Sequence, residues 1–82
     1  IYEINEVFAP IPLAWARQTK TDIEKVNVNG GAMALGHAVG NSGCRLSVSS
    51  VYELHRRDAR YALVSLGSGG GMAPATIFER AC

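Results

Sequence analysis

With 82 residues the chain is one small domain or part of one, and a chain this short buries only about 60% of its unfolded surface. Apolar residues at 48% and charged residues at 18% exclude a disordered polar segment. A net charge of +1 leaves no electrostatic footprint for nucleic acid, and no apolar run approaches the roughly 20 residues of a membrane span.

Residues 1–8 alternate loosely and predict a short strand. They open without Met or a basic segment, so a signal peptide is not expected, and further residues upstream are. Pro10 and Pro12 end the strand and suit the first turn of a helix running to about Thr19. A second short strand is expected over Val26, Asn27 and Val28. Residues 29–43 then carry five glycines among small apolar residues, a composition that favours a functional loop over filler. Ser42 is a candidate N-cap for a helix from about Gly43 to Arg57. Cys44, Val48, Val51 and His55 share one face of it at helical spacing, which makes Cys44 a small core residue. Arg56, Arg57 and Arg60 read as a solvated helix end, with contact to an anionic group as the alternative. Residues 61–66 and 73–79 read as two strands of an antiparallel hairpin around Gly67 to Gly71. The order β-α-β-α-β-β predicts an α/β class: a small mixed sheet covered by helices, with an unprotected edge that needs a partner.

His37 is the chief candidate for chemistry. A neutral imidazole on a rigid loop can donate to a developing oxyanion or accept a proton from a thiol. Gly36 removes bulk beside it, and the amides of Asn29 and Asn41 are candidates to orient its ring. Cys44 and Cys82 form no C-x-x-C pair, which favours free thiols in a reducing compartment. The two histidines and two cysteines have no metal-ligand spacing. The glycines at 67–71 meet neither phosphate-loop pattern, because no lysine follows and Met72 stands where a glycine is needed. Trp15 and Tyr52 read as core or interface residues.

Residues 27–37 read NVNGGAMALGH and residues 40–45 read GNSGCR. Together they closely resemble the signature of the thiolase family, commonly NVNGGAIALGHP followed by GASGAR. Residues 5–9 resemble its NEAFA segment, and residues 61–80 its C-terminal glycine-rich hairpin. The three motifs occur in family order over nearly the whole chain, so the expected fold is the C-terminal part of a thiolase-like fold across residues 1–82.

The resemblance implies roles. His37 matches the histidine that activates a nucleophilic cysteine and helps bind the thioester oxyanion. Asn5 matches the asparagine that completes that oxyanion hole through a water. Gly69 matches a glycine whose N–H serves a second oxyanion hole. The family forms or breaks a carbon–carbon bond between acyl-CoA units, so acyl-CoA and CoA are the expected substrates and no bound cofactor is expected. The resemblance also implies partners: the N-terminal half, which carries the nucleophile and is not among these residues, or a full-length thiolase, in an oligomer. The departures are as informative. Gly67 stands where the family usually has its acid/base cysteine, and the adjacent Ser68 is both a far weaker acid and expected on the other face. Ala38 replaces a proline, and Cys44 an alanine. Activity from these residues alone is therefore not expected. A non-catalytic remnant, or a module that docks on a full-length thiolase, is the alternative.

Overall fold

The computed structural model describes residues 1–67 and 72–81. Three strands, β1 (Tyr2–Ile4), β2 (Tyr61–Ser65) and β3 (Ala75–Glu79), form one sheet in that order. β1 runs parallel to β2 with Glu3 opposite Val64, and β2 runs antiparallel to β3 with Leu63 opposite Ile77. Between β1 and β2 lie the helices α1 (Pro10–Thr19), α2 (Ala32–Leu35) and α3 (Ser42–Arg56), with a 3₁₀ turn at Ile23–Lys25. The mixed α/β sheet and its C-terminal hairpin match the sequence expectation.

Prolines at the start of α1 cost no internal hydrogen bond, and Lys20 ends the helix in the left-handed conformation with its N–H on the Ala16 carbonyl. Trp15 of α1 packs its ring against Tyr2 of β1, with centroids 5.0 Å apart. Tyr52, by contrast, is exposed.

Three expectations need correction. The strand at 26–28 is reduced to one parallel bridge between Tyr2 and Val26. Asn27 takes φ 49°, which turns the chain away from β1 before a ladder can form. The glycine-rich segment contains the single helical turn α2. The third correction concerns α3. It packs on β2 and β1, and its buried row is Ser42, Leu46, Ser50, Glu53 and Leu54. Cys44, Val48, Val51 and His55 lie on the exposed side, so Cys44 is not a core residue of this fold. Periodicity alone favoured the more apolar stripe; the row that faces the sheet includes two serines and a glutamate, which spacing does not advertise.

The basic cluster is accounted for by carboxylates. Arg56 and Arg57 both reach Glu53, Arg60 reaches Glu79, and Arg80 reaches Asp58. Glu53 also accepts from Asn29 Nδ2 at 3.0 Å, and that bond with the Arg57 contact holds its carboxyl below the usual range.

Glu3 is the anomaly of the core. It lies opposite Val64 in a sheet region covered by α3, is 2% exposed, and leaves one carboxyl oxygen without a partner. Burial pushes its carboxyl up to about 7, against the opposing pull of Arg45. A carboxyl raised above its unfolded value binds more protons in the folded state between pH 4.5 and 7. Its contribution to stability is therefore full below that window and lost as pH rises through it. Glu53 has the opposite sign, because its lowered value adds stability that is lost on acidification. We expect Glu3→Gln to stabilise the chain at pH 8 by up to about 3 kcal/mol, with the gain fading towards pH 4.5. Urea denaturation of both chains across that range checks this; a pH-independent difference would show that Glu3 is not charged at a cost.

Candidate active site

The histidine loop is built by side-chain amides and one carboxylate. Asn27 Oδ1 accepts from the Ile4 N–H at 2.9 Å, and its Nδ2 donates to the Ile4 carbonyl at 3.0 Å. Its own N–H donates to the Tyr2 carbonyl at 2.8 Å. The residue thus occupies the open edge of β1 as a strand peptide would. Asn29 turns the other way, to Glu53 and Arg56 on α3. It does not orient His37, contrary to expectation. The turn α2 then leads to Gly36, whose φ of +90° is a conformation side chains disfavour.

His37 follows on an exposed stretch. Its ring is oriented by Ser42: Nδ1 lies 2.7 Å from Ser42 Oγ, which also lies 3.4 Å from the Ala38 carbonyl. The preceding Asn41 is the cap residue of α3 and makes no side-chain cap bond. Ser42 was legible in the sequence only as a helix cap; its bond to a residue five positions back, across a loop, has no periodic signal. The hydroxyl admits two hydrogen arrangements. When it donates to Ala38, it accepts from Nδ1–H and leaves the Nε2 lone pair free as a base. When it donates to Nδ1, Nε2 carries the proton and is a donor. One serine thus supports both states that base catalysis and oxyanion binding require.

Asn5 lies elsewhere, directly after β1. Its N–H extends the β1–β2 ladder to the Ser65 carbonyl at 2.9 Å. Asn5 is 3% exposed, yet among the described residues neither side-chain amide atom has a hydrogen-bond partner. Asn5 and Gly67 line one hollow of about 380 Å³ with Phe8, Ser65 and Leu66. A Cβ added at Gly67 meets no atom of the described residues within 4 Å, so they do not enforce the missing side chain by crowding. His37 lines a different hollow with Ser42 and Arg45, so the described residues bring Asn5 and Gly67 together but not His37 with them. Gly69 and Ser68, and Cys82 with them, lie outside the described residues.

Arg45, which sequence reasoning passed over, has three guanidinium nitrogens shielded from solvent with no hydrogen-bond acceptor. Its charge acts on Glu3, so it links the start of α3 to β1 electrostatically. Among the described residues no three His, Cys, Asp or Glu side chains gather as a metal site.

A small mixed α/β sheet that carries an oriented histidine loop and an unsatisfied buried asparagine defines the class. The model of the thiolase C-terminal domain family matches residues 1–80, and the chain belongs to that family. It is 52% identical over 80 residues to an acetyl-CoA acetyltransferase of Cupriavidus necator, which covers 98% of this chain and 20% of that protein. It is 49% identical over 79 residues to the human mitochondrial 3-ketoacyl-CoA thiolase, covering 96% of this chain and 20% of the relative. The crystal structure of the human mitochondrial 3-ketoacyl-CoA thiolase in complex with CoA superposes with a TM-score of 0.94 at 48% identity, over 99% of this chain and 20% of that one. The chain therefore spans about a fifth of the length of these relatives.

Ser42→Ala is expected to cost about 1 kcal/mol of stability and to shift the His37 ring nitrogen resonances. His37→Ala, at an exposed position, is expected to cost less than about 0.5 kcal/mol. Denaturation with ¹⁵N spectra of the ring tests both; a loss of several kcal/mol on removing His37 would mark it as a structural residue.

Proposed function

We propose that this chain supplies the histidine and asparagine portion of a thiolase-type acyl-transfer site and does not turn over by itself. The observation that carries the reading is the Asn5 side-chain amide, buried and without a partner among the described residues. An unsatisfied buried polar group costs about 1–3 kcal/mol, a loss that a ligand or water bound in use would recover. Support comes from the His37 ring, whose Nδ1 is fixed by Ser42 and whose other nitrogen is left to act.

In this reading a cysteine thiol from outside the 82 residues gives its proton to His37 Nε2. The thiolate attacks the 3-keto carbon of an acyl-CoA, and the bond between carbons 2 and 3 breaks. The departing acetyl-CoA carbanion takes a proton from an acid, and the acyl group stays on the cysteine as a thioester. The Nε2–H of His37 and Asn5, through a water, bind the oxygen that carries charge in that step. Gly69 would serve a second such oxygen with its N–H. Gly67 offers no acid for the departing carbanion. CoA and acyl-CoA are substrates here, not resident cofactors. The partner is the portion that carries the nucleophile, or a full-length thiolase, in an oligomer. The setting is the cytoplasm or an organelle matrix. Among the relatives, the human protein is named mitochondrial and a Petunia hybrida protein peroxisomal. No helix among the described residues is long and apolar enough to cross a membrane.

Gly67 favours a second reading, a thiolase-like module that associates with a full-length thiolase without turnover. Among the described residues nothing would crowd a cysteine there, so the change removes an acid without answering a packing demand from them.

The purified chain should cleave no acetoacetyl-CoA above background, and Gly67→Cys should not change that. Mixing the Gly67→Cys chain with a chain that supplies the cysteine nucleophile is expected to give turnover that His37→Ala abolishes. Turnover by the 82 residues alone would overturn the assignment. Stable association without turnover, with Cys at position 67 or without it, would select the second reading.

A further inference from the structure

Gly31 is the point where the loop chemistry is least expected. Its φ of −114° and ψ of −164° are extended angles that any residue adopts, so the backbone does not call for glycine there. Space does. A Cβ built on Gly31 would meet Glu6 Oε1 at 2.6 Å, Cδ at 2.7 Å and Oε2 at 2.8 Å. The whole carboxylate of Glu6 is therefore laid against the Gly31 Cα. It is held there from two sides: Oε1 accepts from the Met33 N–H at 2.9 Å, and Oε2 accepts from Asn27 Nδ2 at 3.3 Å. The first of these satisfies an N–H in the opening turn of α2, which has no cap of its own. The second rests on the same amide that pairs with Ile4.

The position of Glu6 in the chain gives this clamp its meaning. It directly follows Asn5. The turn it holds, α2, ends two residues before His37. One carboxylate thus connects the segment carrying the candidate oxyanion asparagine to the segment carrying the candidate base, although the two side chains line different hollows. We propose that Glu6 is a positioning residue: seated in the gap left by Gly31, it fixes where the His37 loop stands relative to Asn5. Glu6 touches no reacting atom in this arrangement. It acts through the backbone of α2 and through Asn27. The proposal rests on the acyl-transfer reading for its consequence, but the clamp itself is a matter of geometry.

Two consequences separate this from a merely stabilising carboxylate. First, Gly31 and Glu6 must be coupled. Gly31→Ala should destabilise the wild-type chain yet add little in a Glu6→Ala background, where the space is vacated. Second, the effect must reach the histidine. Glu6→Ala should move and broaden the His37 ring resonances, while Glu6→Gln, which keeps the Met33 contact but turns an NH2 group towards Asn27 Nδ2, should move them less.

The experiment is a double-mutant cycle on the full 82-residue chain, read by urea denaturation and by ¹⁵N spectra of the His37 ring. Glu6→Gln serves as the mild variant should the alanine variants unfold, because it keeps the bond to the Met33 N–H and loses only the one to Asn27. Non-additive losses at positions 6 and 31, with His37 shifts that follow the clamp, are the expected result. Equal losses for Gly31→Ala in both backgrounds would overturn the proposal. So would a destabilised Glu6→Gln or Glu6→Ala chain whose His37 signals do not move. Neither readout depends on turnover: absence of acyl transfer in a reconstituted mixture, with the coupling intact, would remove the acyl-transfer reading and leave the clamp standing.

Discussion

The Asn27 side chain closes the outer edge of β1 with the hydrogen bonds that a neighbouring strand would otherwise provide. β1 is only three residues long, and its odd-numbered neighbours Ile1 and Asn5 exchange bonds with β2. Its even-numbered residues, Tyr2 and Ile4, face outward and would leave their backbone groups unpaired. Asn27 satisfies three of them: the Tyr2 carbonyl through its backbone, and the Ile4 N–H and carbonyl through its side chain. Because this is done by one residue at positive φ rather than by a strand, the chain is free to leave at once. The histidine loop begins there. Each later anchor depends on this first one, since Glu6 leans on the Asn27 amide and Asn29 can reach α3 only after the chain has turned.

This explains why so much of the loop motif is spent on residues that do no chemistry. Asn27 pairs with the strand, Asn29 ties to Glu53, and Gly31 makes room for Glu6. Only at Ser42 does an anchor touch the imidazole itself. The motif is a series of fixed points that carries one ring to one place. Loops that position a functional group are commonly held by a rigid scaffold in this way.

Much of this fold was legible in the sequence because it follows local rules. Two prolines at the head of α1, the run of residues behind α3 and the threonine, isoleucine and phenylalanine of β3 each state their structure within a few positions. His37 was legible as a candidate through the motif around it. What was hidden are the contacts made across the chain. The carboxylate of Glu6 meets Met33 over 27 positions, and Asn27 meets Ile4 over 23. No periodicity encodes these. The same reason explains the error over α3. Cys44, Val48, Val51 and His55 form a sound stripe by spacing, but which stripe faces the sheet is decided by the packing of Leu46 and Leu54 on it, and burial follows that choice.

The distribution of unsatisfied groups adds a last constraint. A chain of this size has little stability in reserve, and sound cores keep buried polar atoms paired. Here Asn5, Glu3 and Arg45 all hold shielded polar atoms without hydrogen-bond partners among the described residues. They are not scattered. Glu3 and Asn5 belong to the β1 segment, and Arg45 lies on the first turn of α3 beside Ser42. These are the two segments that the candidate chemistry requires. Residues selected for stability alone would place apolar side chains at all three positions, because a well-packed apolar replacement for buried polar groups is often neutral or stabilising. Among the described residues the buried polar atoms without partners concentrate in these two segments. Such a concentrated violation is the pattern expected of a functional site rather than of a loosely specified core.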